Sequence, residues 1–104
     1  MAHELIYRPL AEEDLEAINS LIAQDSPARA FNFVEHIQQR CDLLCDFPEQ
    51  DRKRPDLRPG LRVIRYGRSV VIAYQVADDT IEILRIFYGG QDYETIMMSD
   101  EKGV

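Results

Sequence analysis

The feature that most constrains the fold is a change in the spacing of apolar residues near the middle of the chain. In the first half they recur every three or four residues, as at Ala11, Leu15, Ile18 and Ile22, which is the period of one helix face. Beyond residue 60 they alternate or run continuously, which is typical of strands. The sequence therefore predicts helices first and a sheet afterwards.

Start and stop signals divide the first half into two helices. Residues 24–26 interrupt the apolar pattern, and Ser26-Pro27 restarts it as an N-cap followed by the first helical residue. We expect the first helix to begin at Ala11 and the second to end by Asp46, just before Pro48. Two amphipathic helices joined by so short a link form an antiparallel hairpin.

The remaining segments predict strands and one loop. A short strand at Leu5–Tyr7 opens the chain, and residues 49–60, with two prolines and almost no apolar side chain, predict a surface loop. Three strands follow, joined by turns at Gly67-Arg68 and Asp78-Asp79, so that consecutive strands are antiparallel. Their ranges are 61–66, 70–76 and 80–88. Residues 92–98 predict a short final helix, and residues 99–104 are expected to be frayed.

These elements predict a single α+β domain over residues 1–104. An N-terminal strand is followed by an antiparallel helical hairpin, which packs on one face of a mainly antiparallel sheet to bury its apolar stripes. A short helix or tail ends the chain. At this length the chain buries enough apolar surface for a core without disulfides or metals.

Charge is spread unevenly along an acidic protein. The net charge is −7, yet residues 52–68 contain seven basic residues and one acidic residue, a local charge of +6 against −13 for the rest. An acidic body is repelled by nucleic acid, so direct, specific nucleic-acid binding is not expected. The basic band is either a solvated surface that pairs with the acidic helices or a surface for a partner or target.

Several classes of function have no support in the sequence. The chain contains no P-loop, dinucleotide fingerprint or metal-ligand cluster, so neither a cofactor nor a metal is expected. Cys41 and Cys45 predict two reduced thiols, at least one of them in the core. No apolar run reaches the length that spans a bilayer, and the N-terminus lacks the pattern of a signal peptide. We therefore expect a cytoplasmic protein that does not enter membranes.

Five short stretches, in the correct order, resemble the ParE/RelE toxin superfamily and favour its ParE-like branch. The first contains an A-x-x-D-L element at Ala11–Leu15, and the last is similar to a family ending that commonly has the sequence I-x-R-V-x-H-G-R-R-D. The stretches are Tyr7–Leu15, Leu43–Pro48, the two strand segments Leu57–Arg62 and Val71–Val76, and Ile83–Asp92. The resemblance implies the predicted α+β fold. It also implies that the chain is the toxin of a type II toxin–antitoxin system, also called a plasmid stabilisation system.

The two branches of the superfamily differ in how they act. RelE-like toxins cut mRNA in the ribosome with cationic residues, a base and an acid. Aligned on Tyr74, the chain keeps one of these cations, Arg62. Ile64, Val71 and Gln91 stand at the other cation positions, and Met97 lies near the position of the family's catalytic tyrosine. A slip of one residue would bring Arg65 or Arg68 into play, and Tyr66, Tyr88 and Tyr93 are available as acids. ParE-like toxins resemble one another in inhibiting DNA gyrase by binding, which requires no catalytic residue.

The resemblance implies an inhibitor of DNA gyrase that is not an enzyme and is neutralised by a ParD-like antitoxin. A RelE-like, ribosome-dependent mRNA endonuclease and a non-toxic interaction module with the toxin fold are the alternatives. The implied target-binding residues are Arg85, Tyr88, Gln91, Asp92 and Tyr93.

The candidate antitoxin-binding residues are of two kinds. Leu21 and Phe31 lie off the main apolar stripes, and exposed apolar groups there would suit an amphipathic segment of the antitoxin; alternatively, both widen the core stripe. Arg58, Arg62 and Arg65 belong to the basic band, which would attract acidic antitoxin residues.

Overall fold

A computed structural model describes residues 3–48 and 52–99 of the chain, apart from the side chain of Arg52. Five strands and three helices are present in this part of the chain. In order they are β1 (Glu4–Tyr7), α1 (Pro9–Ala23), α2 (Pro27–Leu43), β2 (Arg52–Lys53), β3 (Arg62–Tyr66), β4 (Val70–Ala77), β5 (Thr80–Tyr88) and α3 (Tyr93–Ser99).

The helical hairpin follows from local signals in the sequence. Helix α1 begins at Pro9, two residues before the predicted start, because proline fits the first helical position, where no backbone N–H is needed. Helix α2 begins as predicted after Ser26, whose side-chain oxygen accepts a hydrogen bond from the Arg29 N–H at 3.2 Å. It ends at Leu43, within the predicted limit.

The strands form one mixed sheet in the order β1-β5-β4-β3-β2. Strand β1 is parallel to β5, and the other neighbours are antiparallel. The β4–β5 turn places Asp78 at a φ of 54°, in the left-handed region that aspartate tolerates better than most residues. The predicted α+β class and the mainly antiparallel sheet are confirmed.

The sheet is covered on both faces. On one face, the helical hairpin contributes Leu15, Ile37 and Leu44 to a core cluster that also contains strand residues such as Ile72 and Ile83. On the other face, Met97 of α3, with 1% of its surface exposed, packs in a second cluster. The strand residues of this cluster are Val63, Val71, Ala73, Leu84 and Phe87, next to Leu61. The hairpin was predicted to cover one face of the sheet, and α3 adds a partial layer on the other face.

A β-bulge in β5 allows this strand to serve both clusters. Ala73 pairs with Arg85 and Tyr74 with Ile83, so Leu84 has no partner on β4. One extra residue reverses the alternation of side chains. Ile83 and Ile86 consequently both pack against the hairpin, whereas Leu84 and Phe87 both belong to the second cluster.

Two sequence-based expectations need adjustment. The predicted loop at residues 49–60 contains strand β2, which pairs with the start of β3, and its Leu57 packs against the second cluster; residues 49–51 lie outside the described part. Fraying was predicted from residue 99, but Ser99 is the last residue of α3 and its hydroxyl donates to the Thr95 carbonyl oxygen at 2.9 Å. Residues 100–104 lie outside the described part.

Candidate functional site

A cleft of about 230 Å³ lies between the β3–β4 turn and the segment that follows β5. Its lining combines two arginines, an aromatic floor and polar groups. The lining includes Arg65, Arg68, Phe87, Gln91, Asp92 and Tyr93. The structure thus brings three of the five predicted target-binding residues together with Arg65, which was predicted to bind the antitoxin.

Tyr93 is held in the cleft by one aromatic and one cationic neighbour. Its ring centroid lies 5.9 Å from that of Phe87, and its hydroxyl accepts a hydrogen bond from Nη1 of Arg54 at 2.9 Å. The guanidinium of Arg54 also lies 5.9 Å from the Tyr93 ring centroid. Tyr93 is therefore fixed both by packing and by a cation–π contact.

Arg54 is the charged centre of this region. Its guanidinium contacts the carboxylates of Asp56 at 2.8 Å and Glu94 at 2.7 Å. The hydrogen bond from Arg54 lowers the pKa of Asp56 below its ordinary value. Because Glu94 belongs to α3 and Arg54 follows β2, these contacts tie the final helix to the edge of the sheet.

Gln91 and Asp92 shape the turn between β5 and α3. The side-chain oxygen of Gln91 accepts a hydrogen bond from the Tyr88 N–H at 2.9 Å. Asp92 accepts hydrogen bonds from the hydroxyl of Thr95 at 2.7 Å and from its N–H at 3.3 Å. These bonds lower the pKa of Asp92, the hydroxyl contributing most. Asp92 is therefore ionised at neutral pH and orders the first turn of α3.

The other two predicted target-binding residues lie away from the cleft. Arg85 forms an ion pair with Asp14 of α1, at 2.8 Å between Nε and a carboxylate oxygen. Tyr88 packs edge to face on Phe33 of α2, with ring centroids 5.5 Å apart. Both side chains thus contact the helical hairpin.

The predicted antitoxin-binding residues do not form one surface. Leu21 and Phe31 are exposed, at 53% and 66%, near the turn between the two helices. Strand β3 alternates its side chains: Arg62 shares the hairpin face with Ile64, whereas Arg65 shares the opposite face with Val63. Arg62 is also only 9% exposed. The basic band is continuous in sequence but divided between the two faces of the sheet.

Two residues that contact predicted site residues, Asp14 and Arg54, were not singled out as site residues by the sequence. Each contacts a side chain far along the chain, Asp14 with Arg85 and Arg54 with Tyr93. Charge and helix position alone give no signal for such long-range pairs. The only available hint is that Asp14 belongs to the A-x-x-D-L element.

The side chains of the cleft can bind groups of two kinds. The guanidinium groups of Arg65 and Arg68 suit an anionic group, and Tyr93 and Phe87 suit a flat or apolar one. Within residues 3–48 and 52–99, no three His, Cys, Asp or Glu side chains are grouped so as to hold a metal ion. None of the described helices is both long and apolar enough to cross a bilayer.

Comparison with known proteins places these features in a family context. The family model for the ParE toxin of the type II toxin–antitoxin system parDE matches residues 5–93, which is most of the chain. No curated protein sequence matches the chain at a significant level.

Solved structures give the same picture of the fold. The chromosomal ParDE TA system from P. aeruginosa contains a chain that is 27% identical, with a TM-score of 0.72, 84% of this chain and 96% of that chain being covered. A mutant of the E. coli toxin RelE in the free state is 15% identical, with a TM-score of 0.68 and coverage of 98% and 99%. The toxin–antitoxin complex RelBE2 from Mycobacterium tuberculosis contains a chain that is 18% identical, with a TM-score of 0.54. The match covers 86% of this chain and 100% of that chain. The last two likenesses concern the fold alone.

Proposed function

This chain belongs to the ParE toxin family of type II toxin–antitoxin systems, and from this premise we propose that it inhibits DNA gyrase by binding it, without catalysis. The match over residues 5–93 carries the proposal, since it spans every element from β1 to the start of α3. We expect the toxin to act in the cytoplasm, where its target works. The partner is an antitoxin, and we propose that it is ParD-like.

We propose that the target-binding surface is centred on the cleft. Gln91, Asp92 and Tyr93 lie there beside Arg65 and Arg68. Among the described residues, neither of these two arginines forms an ion pair, so both are available for an anionic group. Tyr93 is pre-organised by Arg54, which lowers the entropic cost of binding through its ring.

We propose that the antitoxin binds the outer surface of the helical hairpin. The exposed side chains of Leu21 and Phe31 lie at its turn end. A groove between the two helices is lined by the apolar residues Leu15 and Val34 and by the polar residues Glu16, Asn19, Ser20 and Gln38. Such a mixed surface suits an amphipathic helix, whose apolar face would contact Leu21 and Phe31.

The test is a supercoiling assay with purified gyrase, ATP and relaxed plasmid, to which antitoxin-free protein is added. We expect lost supercoiling together with trapped linear DNA, both in proportion to the protein added. Arg65→Glu and Arg68→Glu should weaken the effect, whereas Arg29→Glu, the same change at an exposed position on α2, should not. Full supercoiling at a large excess of folded protein would refute gyrase as the target.

Ribosome-dependent mRNA cleavage is the second candidate function, and one observation favours it. Arg65 and Arg68 line the same cleft as Tyr93, which places two cations near a group that can donate a proton. Against it, Met97, near the family position of the catalytic tyrosine, is buried and has no proton to transfer.

An mRNA cleavage assay with translating ribosomes separates these two functions. Cleavage that Tyr93→Phe abolishes, combined with untouched gyrase, would establish the nuclease. Absence of both activities and of growth arrest on expression would favour the non-toxic interaction module.

A further inference from the structure

The outer edge of β5 is covered by two different structures along its length. Strand β1 pairs with its first half, from Glu4 opposite Thr80 to Tyr7 opposite Ile83. The Arg8 N–H still donates to the Ile83 carbonyl oxygen at 2.9 Å, and the chain then enters α1. In the second half, from Leu84 onward, β1 no longer pairs with β5.

Asp14 of α1 takes the place of a strand at this second half. Its carboxylate accepts hydrogen bonds from the Ile86 backbone N–H at 2.8 Å and from Nε and Nη2 of Arg85 at 2.8 and 3.0 Å. A backbone N–H at a sheet edge ordinarily requires a neighbouring strand or water. One carboxylate thus satisfies a main-chain donor and neutralises a cation at the same point.

This contact occurs next to the β-bulge. Leu84 is the extra residue, and Arg85 and Ile86 are the next two along the strand. A bulge disrupts the ladder locally and re-aims the side chains that follow it. The carboxylate of Asp14 therefore holds β5 at the position where the directions of Phe87 and Tyr88 are decided.

A chain of contacts leads from this point to the cleft. The guanidinium of Arg85 lies 5.2 Å from the ring centroid of Phe87, and the Phe87 ring packs on Tyr93. The side chains of Asp14 and Arg85 are only 16% and 14% exposed. A charge-assisted pair so far removed from water keeps a defined geometry.

We infer that Asp14 is a positioning residue for target binding: it fixes Arg85 and the second half of β5, and so orients the segment that carries Gln91, Asp92 and Tyr93. Asp14 does not itself contact the target. Arg85 acts as its internal partner and not as a target contact. The inference rests on the proposed function, because it concerns the surface that binds gyrase.

The test compares Asp14→Asn with the matched exposed change Asp46→Asn in the full chain. Asparagine retains an acceptor for the Ile86 N–H but removes the charge that holds Arg85. We expect Asp14→Asn to remain folded, with a single cooperative unfolding transition. The amide resonances of residues 91–93 should nevertheless shift. Hydrogen exchange at Ile86 should be about tenfold faster, because the bond is weaker. Asp46→Asn should change none of these.

Gyrase inhibition supplies the functional arm. At equal concentrations of folded protein, Asp14→Asn should raise the half-inhibitory concentration about tenfold, as expected for a misplaced binding surface. Arg85→Ala should do the same, and the double variant should lose no more than either single variant, because the residues act as a unit. A loss that merely followed the unfolded fraction, or unchanged inhibition by Asp14→Asn, would overturn the inference.

The two hypotheses can fail separately. If the wild-type protein leaves gyrase untouched, the proposed function fails, and the resonances of residues 91–93 then decide the inference alone. Shifted resonances in Asp14→Asn would support positioning of this segment by Asp14, and unshifted resonances would overturn it.

Discussion

Nη1 of Arg54 donates a 2.9 Å hydrogen bond to the hydroxyl of Tyr93, joining the residue after β2 to the first residue of α3. The same guanidinium contacts Glu94 at 2.7 Å. Met97, one turn further on, is buried against the second face of the sheet. Helix α3 is too short to be stable alone, so its position depends on this clamp and on this apolar contact.

Replacing Arg54 by alanine should therefore loosen α3 without unfolding the domain. We expect faster hydrogen exchange across residues 93–99 and a lower free energy of unfolding, because the hydrogen bonds from Arg54 to Tyr93 and Glu94 are lost. Exchange of the β4 and β5 amides should change little. Urea unfolding and residue-resolved hydrogen exchange would measure both effects.

Lys53→Ala is the matched control, since Lys53 is an exposed cation on the preceding residue. It should leave exchange in α3 unchanged. Equal protection of residues 93–99 in Arg54→Ala and in the wild type would show that Met97 and its apolar neighbours hold the helix by themselves.

The fold could be predicted largely from local signals. The period of the apolar residues gave both helices and the three long strands, and Ser26 with Pro27 gave the start of α2 because capping acts within a few residues. Strand β2 was missed because a two-residue edge strand depends on pairing with β3 and has no period of its own. The bulge at Leu84 was missed because both faces of β5 are apolar, which hides a reversal of alternation.

The candidate site was predictable only in part. The proximity of Gln91, Asp92 and Tyr93 follows from their adjacency in sequence. The separation of Arg62 from Arg65 follows from strand alternation, which a count of charges along the chain does not include. The pairing of Asp14 with Arg85 requires the tertiary structure.

Burial of Cys41 predicts a loss of stability at alkaline pH. Burial raises the pKa of its thiol from 9.0 to about 12. The folded state then keeps a proton that the unfolded state loses above pH 9, so stability is complete below pH 9 and falls as the pH rises. The fall contributed by this group approaches about 1.4 kcal/mol per pH unit.

Urea unfolding between about pH 8 and 9.5 would measure this dependence, in a range where most tyrosines remain protonated. The Cys41→Ala variant is less stable because of the cavity, but its free energy of unfolding should decline less steeply with pH. Parallel declines in the two proteins would show that the Cys41 thiol does not cause the effect.

Antitoxin binding should respond differently to the two arginines of β3. Arg65 is exposed, so Arg65→Glu should weaken its attraction for acidic antitoxin residues and lower the affinity at low salt, and the effect should fade as salt screens it. Arg62 is largely buried, and Arg62→Glu should instead lower the melting temperature. Titrations at two salt concentrations and thermal melts of both variants would distinguish these effects. Equal affinity of Arg65→Glu and wild type at low salt would remove Arg65 from the antitoxin interface.

The contribution of the helical hairpin to antitoxin binding should be separable from target binding by substitution, because the hairpin and the cleft lie on different faces of the sheet. Leu21→Ser and Phe31→Ser remove exposed apolar groups from the hairpin and should each weaken antitoxin binding by about tenfold or more, the range for an apolar anchor at an interface. Neither should change gyrase inhibition.

Leu43→Ser, at the opposite end of α2 and also exposed, is the control and should leave both activities intact. Calorimetric titration with the co-expressed antitoxin would measure antitoxin binding, and the supercoiling assay would measure gyrase inhibition on the same preparations. A parallel loss of both activities in Leu21→Ser or Phe31→Ser would mean that one surface serves both partners.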